Sequence, residues 1–223
     1  MTEKRITTFQ AGIIFSTSVV LFLGFALLNP FEDFYVTGVT VEVIALLLPA
    51  LAGLMIFRKS FRLNLKLKPP GWINSLMVVF ITLFSLPVTL ALSALNLWLV
   101  ESVFGESRIP EVPIPETVPQ LLLSLAVVAL VPAVCEEILN RGIFQSAFEK
   151  FGKWPCVLMG SVLFTLFHFS FEKLLGIFFL SVVIGYVVYV TKSIFIGMIA
   201  HFVNNAAAMV ISYAATRIGG SEW

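Results

Sequence analysis

Residues 118–148 read VPQLLLSLAVVALVPAVCEEILNRGIFQSAF, an apolar run whose charged residues all lie in its second half. A helix needs about 20 apolar residues to cross the hydrocarbon core of a bilayer, and this stretch is long enough to do so. A charge at the middle of such a helix costs about 2.5–3.5 kcal/mol. Glu136, Glu137 and Arg141 therefore indicate a functional site inside the membrane.

Six further stretches have the same apolar character, and the composition of the whole chain agrees with them. Of its 223 residues, 59% are hydrophobic and 12% are charged, whereas a soluble domain has about 25% charged residues. We therefore predict an all-α, polytopic membrane bundle of about seven transmembrane helices, with eight as the upper count, in a single domain covering residues 1–223. The predicted spans are residues 10–28, 38–57, 73–100, 118–148, 155–170, 174–191 and 193–215.

The first span resembles a signal peptide, but it is long enough to cross the bilayer and shows no clear cleavage site, so we interpret it as a retained helix. The net charge of +1 gives no support for nucleic-acid binding. Cys135 and Cys156 lack CxxC spacing and lie in or near apolar stretches, which favours small buried hydrophobic residues over a disulfide or zinc pair.

The Lys and Arg residues predict the orientation of the bundle, because basic residues in short loops concentrate on the cytoplasmic side. With seven alternating spans, most of them fall on the side of the N-terminus, which we therefore expect to be cytoplasmic in the plasma membrane. We interpret residues 58–72, RKSFRLNLKLKPPGW, as a solvated charge run on that membrane surface. The basic residues on this side are Lys4, Arg5, Arg58, Lys59, Arg62, Lys66, Lys68, Lys150, Lys153 and Lys192.

The chain has two histidines, His168 and His201, and both lie inside apolar spans. Glu136 comes sixteen residues before the turn at Gly152 and His168 sixteen residues after it, so the two side chains should lie at one depth. His201 follows the turn at Lys192 by nine residues, which at 1.5 Å per residue is about 13 Å into the membrane. The sequence thus predicts a shared site nearer the cytoplasmic side.

Two more relations come from helical spacing. Glu137 and Arg141 are four residues apart and can pair on one face of their helix, which leaves Glu136 without a partner on its own helix. Asn205 follows His201 by four residues and shares its face, whereas the adjacent Asn204 points about 100° away.

These residues form three motifs in order on separate spans: EExxxR with Glu136, Glu137 and Arg141, FxxxH with Phe164 and His168, and HxxxN with His201 and Asn205. The set resembles the CPBP family, which includes CAAX prenyl endopeptidases of the Rce1 type and bacterial Abi proteins. The resemblance covers roughly residues 118–210, which would form the catalytic core.

The resemblance implies an intramembrane endopeptidase that acts on a peptide or membrane protein. In that chemistry Glu136 and His168 would activate a water, and His201 and Asn205 would stabilise the oxyanion. Glu137, Arg141 and Phe164 would support them. We favour a mechanism without a cofactor. Zinc held by Glu136, His168 and His201 is the alternative, because the three side chains would leave an open coordination position.

Other functions compete with this one. A serine protease would need a nucleophile beside a histidine, and Ser161 precedes His168 by seven residues without a GxSxG motif. A transporter would use the intramembrane charges for coupling, but we find no inverted repeat. A non-catalytic membrane scaffold or bacteriocin-immunity protein of the same family is the main alternative.

The predicted orientation can be tested by cysteine labelling in intact cells. A membrane-impermeant reagent should reach a single cysteine placed near Glu111 and should fail to reach one placed near Lys66. Labelling of position 66 from outside would overturn the orientation.

Overall fold

The computed structural model describes residues 4–28, 30–106 and 112–218, and helices dominate this part of the chain. Glu111, the outer position chosen for labelling, lies outside these residues. The described residues contain no strand, so the predicted fold class, a helical membrane bundle, is confirmed. The main helices are α1 (Thr8–Leu28), α2 (Phe34–Ile56), α3 (Trp72–Phe104), α4 (Val118–Phe151), α5 (Lys153–Phe167), α6 (Leu174–Thr191) and α7 (Ile194–Ile218).

Six of these helices are long and apolar enough to cross a membrane, and α5 is the exception. It has 15 residues, which at 1.5 Å per residue is about 22 Å, and a hydrocarbon core is about 30 Å thick. The span predicted over residues 155–170 is therefore too long. The helix ends at Phe167, so His168 lies at its C-terminal end and not within it.

The ends of the helices follow from local sequence. Asp33 caps α2 by accepting a hydrogen bond from the Val36 backbone amide at 2.8 Å. Thr117 and Gln120 form a capping box at the start of α4, a pairing that satisfies two backbone amides at once. Gly152 takes a φ of 95°, which glycine adopts without steric cost, and this allows the tight turn from α4 into α5.

Two of the helices contain turns wider than an α-helical turn. Residues Glu42–Leu47 of α2 form a π-helical segment, as do Leu125–Leu130 and Ile138–Phe144 of α4. A π-helical turn inserts extra backbone into the helix and changes the direction in which the following side chains point, and such turns are frequent at functional sites. The two segments of α4 lie on either side of Glu136 and Glu137.

Helix α4 is the centre of the bundle, and all residues from 139 to 147 are buried. One apolar cluster packs α1 and α2 against it, with Phe15 meeting Phe144 and Phe167 edge to face at centroid distances of 5.5 and 6.1 Å. A second cluster joins α3, α6 and α7. The interior charges of α4 are therefore enclosed by apolar packing on both sides.

The loop between α2 and α3 is tied to the bundle, in contrast to the freely solvated segment that we predicted. The buried Asn64 accepts a hydrogen bond from the Ile6 amide at 2.9 Å and donates one to the Lys4 carbonyl at 3.1 Å. Lys66 is also buried, and its ammonium donates to the Arg141 carbonyl at 2.8 Å. The exposed Lys68 is therefore a better labelling position than Lys66.

Candidate active site

Glu137 and Arg141 form an ion pair inside the bundle, as their spacing predicted. Nη1 of Arg141 lies 2.9 Å from Oε1 of Glu137, and their side chains are 1% and 0% exposed. The second guanidinium nitrogen donates to the Ser181 carbonyl at 3.0 Å and to its hydroxyl at 3.2 Å on α6. Arg141 therefore neutralises Glu137 and connects α4 to α6.

Asn140 adds to this network when its amide is oriented to satisfy its partners. Its nitrogen then donates to the Gly160 carbonyl at 3.0 Å, and its oxygen accepts from Nη1 of Arg141 at 2.6 Å. The amide thereby links Arg141 to α5, so that the guanidinium is held from three helices.

His201 lies against both glutamates of α4. Its Nδ1 is 3.1 Å from Oε1 of Glu137, a hydrogen bond in which the ring nitrogen is the donor to an ionised carboxylate. This leaves Nε2 facing Glu136, 3.7 Å from Oε2. Glu137 thus has two functions, since the carboxylate that pairs with Arg141 also sets the ring orientation of His201.

His168 approaches Glu136 from the end of α5. Its Nδ1 lies 2.9 Å from the Phe164 carbonyl and donates to it, because a carbonyl can only accept. Its Nε2 lies 3.9 Å from Oε2 of Glu136, and the side chain is 29% exposed. The structure therefore brings Glu136, His168 and His201 together, as the counting of residues along the helices predicted.

Glu136, like Glu42 and Glu137, has one buried carboxylate oxygen without a hydrogen-bond partner among the described residues. The side chain of Glu136 is 14% exposed, and among the described residues its Oε2 is buried without a hydrogen-bond partner. A buried polar atom normally has a partner, from the protein or from an ordered water. The two Nε2 atoms at 3.7 and 3.9 Å are beyond direct hydrogen-bond distance. The geometry suits a small polar molecule between the three groups.

Phe164 holds both imidazoles in place. Its ring meets His168 at a centroid distance of 4.5 Å and His201 at 6.0 Å, edge to face in each case. The Arg141 guanidinium lies 5.1 Å from the same ring centroid. The supporting position predicted for Phe164 is thus one of direct packing against three site residues.

Glu42 is a site residue that the sequence analysis missed. It lies at the start of the π-helical segment of α2, and its carboxyl group is near enough to that of Glu136 for the two to interact electrostatically. The available signal was its position, because it is the only charged residue between Phe34 and Ile56. The next turn of α2 contributes Leu46, which lines a small cavity with Glu136 and His168.

The hydrogen bonds of Asn205 join it to Asn204 and to the backbone of α4. Its amide nitrogen donates to the Val128 carbonyl at 3.1 Å, in the first π-helical segment of α4, and its oxygen accepts from Asn204 at 3.0 Å. The residue therefore attaches α7 to α4 one turn away from His201. Only the second proton of its amide nitrogen is left for another acceptor.

The side chains that could bind a metal ion and the two cysteines complete the description of the site. Within the described part of the chain, no group of three or more His, Cys, Asp or Glu side chains is arranged to hold a metal ion. Glu136, His168 and His201 nevertheless have donor atoms of the kinds that zinc binds. Cys135 and Cys156 are free and buried, in agreement with their interpretation as small hydrophobic residues.

Comparison with known proteins identifies the same part of the chain. Searches of curated proteins and of solved structures give no match. A family model described as Rce1-like, type II CAAX prenyl endopeptidase, matches residues 118–207. This segment contains Glu136, Glu137, Arg141, Phe164, His168, His201 and Asn205, and α1 to α3 lie outside it. Residues 118–207 are therefore similar to the CAAX protease family that the three motifs resemble.

Proposed function

We propose that this protein is an intramembrane, glutamate-dependent endopeptidase that cleaves a peptide or membrane protein by means of an activated water. The proposal is carried by one observation, the unpartnered Oε2 of Glu136 facing the Nε2 atoms of His168 and His201 at 3.9 and 3.7 Å. A water bound between these atoms would satisfy all three. The family match supports a peptide bond as the target.

The first step is attack by this water. Glu136 removes one proton, and the water oxygen forms a bond to the carbonyl carbon of the scissile peptide. His168, whose Nδ1 is occupied by the Phe164 carbonyl, uses Nε2 to hold the water in line. The His168 ring is partly exposed. It would therefore lie between the cavity and the outside of the bundle, from which a substrate arrives.

The second step is collapse of the tetrahedral intermediate. His201 in its protonated form presents an Nε2 proton to the oxyanion, because its Nδ1 proton is bound by Glu137. The carbon–nitrogen bond then breaks, and the proton held by Glu136 passes to the leaving amine. The products are a new carboxyl terminus and a new amino terminus. Stabilising the developing oxyanion is commonly the largest single contribution to such catalysis.

Ion pairing and aromatic packing hold the polar residues of the site in place inside an apolar bundle. Arg141 pairs with Glu137, Glu137 orients His201, and Phe164 packs edge to face against both imidazoles. Oε2 of Glu136 is the unpartnered carboxylate oxygen that faces Nε2 of both imidazoles, and we assign the chemistry to it for that reason. We also propose that the N-terminus is cytoplasmic and that the site lies nearer the cytoplasmic side of the plasma membrane, on the basis of the basic loops.

Replacing Glu136 with Gln tests the proposed general base. Glutamine is nearly isosteric but cannot accept the proton, so cleavage should fall by at least about 10²-fold while the fold stays intact. The measurement compares membrane peptides by mass spectrometry in cells producing the native protein or the variant, with thermal unfolding of each purified protein. Glu101→Gln, at an exposed position of α3, is the matched control.

Two outcomes would change the assignment. Unaltered cleavage by the Glu136→Gln protein would remove the hydrolytic scheme and favour the membrane scaffold or bacteriocin-immunity function. Stoichiometric zinc in the purified native protein, lost on His168→Ala or His201→Ala replacement, would substitute a metalloprotease mechanism for the metal-free one.

Replacing Asn205 with Ala separates a direct function from a structural one. If the second amide proton of Asn205 reaches the oxyanion, kcat should fall by about 10²–10³-fold with little change in KM. Val128→Ala, which retains the carbonyl that Asn205 binds, is the control for packing at this contact. A loss of thermal stability with unchanged kcat would show that Asn205 only joins α7 to α4.

Replacing Arg141 with Ala should harm folding more than chemistry. The change leaves Glu137 as an unpaired buried charge, and loss of one partner of a buried pair costs about 3–5 kcal/mol. We expect low abundance and a lowered midpoint of thermal unfolding, with Lys150→Ala on the exposed end of α4 as the control. An abundant, heat-stable Arg141→Ala protein without activity would instead give Arg141 a direct function in the reaction.

A further inference from the structure

A pocket of about 380 Å³ lies at the end of the bundle where the basic loops meet. Its walls come from the segment before α1, the loop between α2 and α3, the C-terminal end of α4 and the turn after α6. The basic side chains that line it are Arg5, Arg62, Lys66, Lys68 and Lys192, and its one acidic side chain is Glu149. None of these residues belongs to the candidate active site.

The charge in this pocket is far from balanced. Glu149 pairs with Arg5, and its Oε1 lies 3.5 Å from the ammonium groups of both Lys66 and Lys192. Five positive charges against one negative charge leave an excess of four. Burial lowers the pKa of Lys66 to about 8, against the attraction of Glu149, so this ammonium is still largely charged at pH 7.

Two of the cations are unpaired within the part of the chain that the structure describes. Arg62 and Lys68 are exposed, and within the described residues their side chains form no ion pair or hydrogen bond. Both line the pocket beside Lys66. A concave surface with unpaired guanidinium and ammonium groups is suited to a phosphate group, which Arg can bind with two parallel hydrogen bonds.

The backbone around the pocket is held in place by hydrogen bonds between segments far apart in sequence. The Lys66 carbonyl accepts from the Ile194 amide at 3.2 Å, and the Lys68 carbonyl accepts from the Ser193 hydroxyl at 2.6 Å. These bonds join the loop after α2 to the turn before α7. The pocket is therefore formed before a ligand arrives, which lowers the entropy cost of binding.

Apolar side chains also line the pocket. Leu63 and Leu67, which alternate with the basic residues, are 36% and 41% exposed. Trp72 lies just beyond, 76% exposed at the start of α3. Tryptophan is enriched at the level of lipid headgroups. A pocket lined by both cations and exposed apolar side chains fits a molecule with a phosphate and attached acyl chains better than it fits a free ion.

From this geometry we infer that the pocket lined by Arg5, Arg62, Lys66, Lys68 and Lys192 binds the phosphate headgroup of an anionic phospholipid. The headgroup would contact Arg62 and Lys68, and the acyl chains would lie along Leu63 and Leu67. The site is independent of the proposed proteolysis, because it uses other residues at another place in the bundle.

Native mass spectrometry of the full-length protein in a neutral detergent tests this inference. The probes are phosphatidylglycerol, phosphatidylcholine of the same chain length, and inorganic phosphate. The variant Arg62→Gln with Lys68→Gln removes the two unpaired cations at exposed positions. The matched control, Lys150→Gln with Lys153→Gln, removes two cations that lie over the Phe151 and Trp154 rings outside the pocket.

The native protein and the control should both retain phosphatidylglycerol in preference to phosphatidylcholine. The pocket variant should bind phosphatidylglycerol roughly 30-fold more weakly, at about 1 kcal/mol for each basic residue near an anionic headgroup. Equal losses in the pocket variant and the control would overturn the inference in favour of general surface charge. Equal binding of phosphatidylcholine, or displacement of the lipid by inorganic phosphate at the same concentration, would also overturn it.

Discussion

The whole site depends on neutralising one carboxylate in the middle of an apolar bundle. Glu137 is fully buried, and an isolated charge there would be too costly to retain. Arg141 supplies the counter-charge at 2.9 Å and is itself anchored to Ser181 on α6. The pair lets Glu137 remain an acceptor for His201. One ion pair thereby fixes the relation between α4, α6 and α7 and determines which nitrogen of His201 faces Glu136.

Irregular helix geometry makes this arrangement fit. A regular α-helix directs Glu136 and Glu137 about 100° apart, and α4 sets both against neighbouring helices by widening its turns before and after them. Glu42 likewise lies in a widened turn, at the start of the π-helical segment of α2. Asn205 binds a carbonyl within one of these segments. The polar residues of α7 thus support the backbone of α4 as well as the chemistry.

Sequence reasoning predicted the features that depend on hydropathy and on counting along helices. The seven apolar segments, the Glu137–Arg141 pairing and the meeting of Glu136 with His168 and His201 are present in the structure. Features that depend on contacts between distant segments were not predictable in this way. Glu42 has no helical partner to mark it, Lys66 is buried only because the loop folds onto α4, and the second partner of Asn205 is a backbone carbonyl.

The shortness of α5 has a consequence for the supply of the second reactant. A protease inside a bilayer consumes one water molecule for each bond that it cuts, and hydrocarbon dissolves very little water. A helix of about 22 Å cannot match a core of about 30 Å, and such a mismatch is relieved by thinning of the adjacent lipid. The thinned region would lie at the end of α5, beside His168, the more exposed of the two imidazoles. Thinning of the lipid beside this short helix would shorten the distance that a water molecule has to travel to reach Glu136.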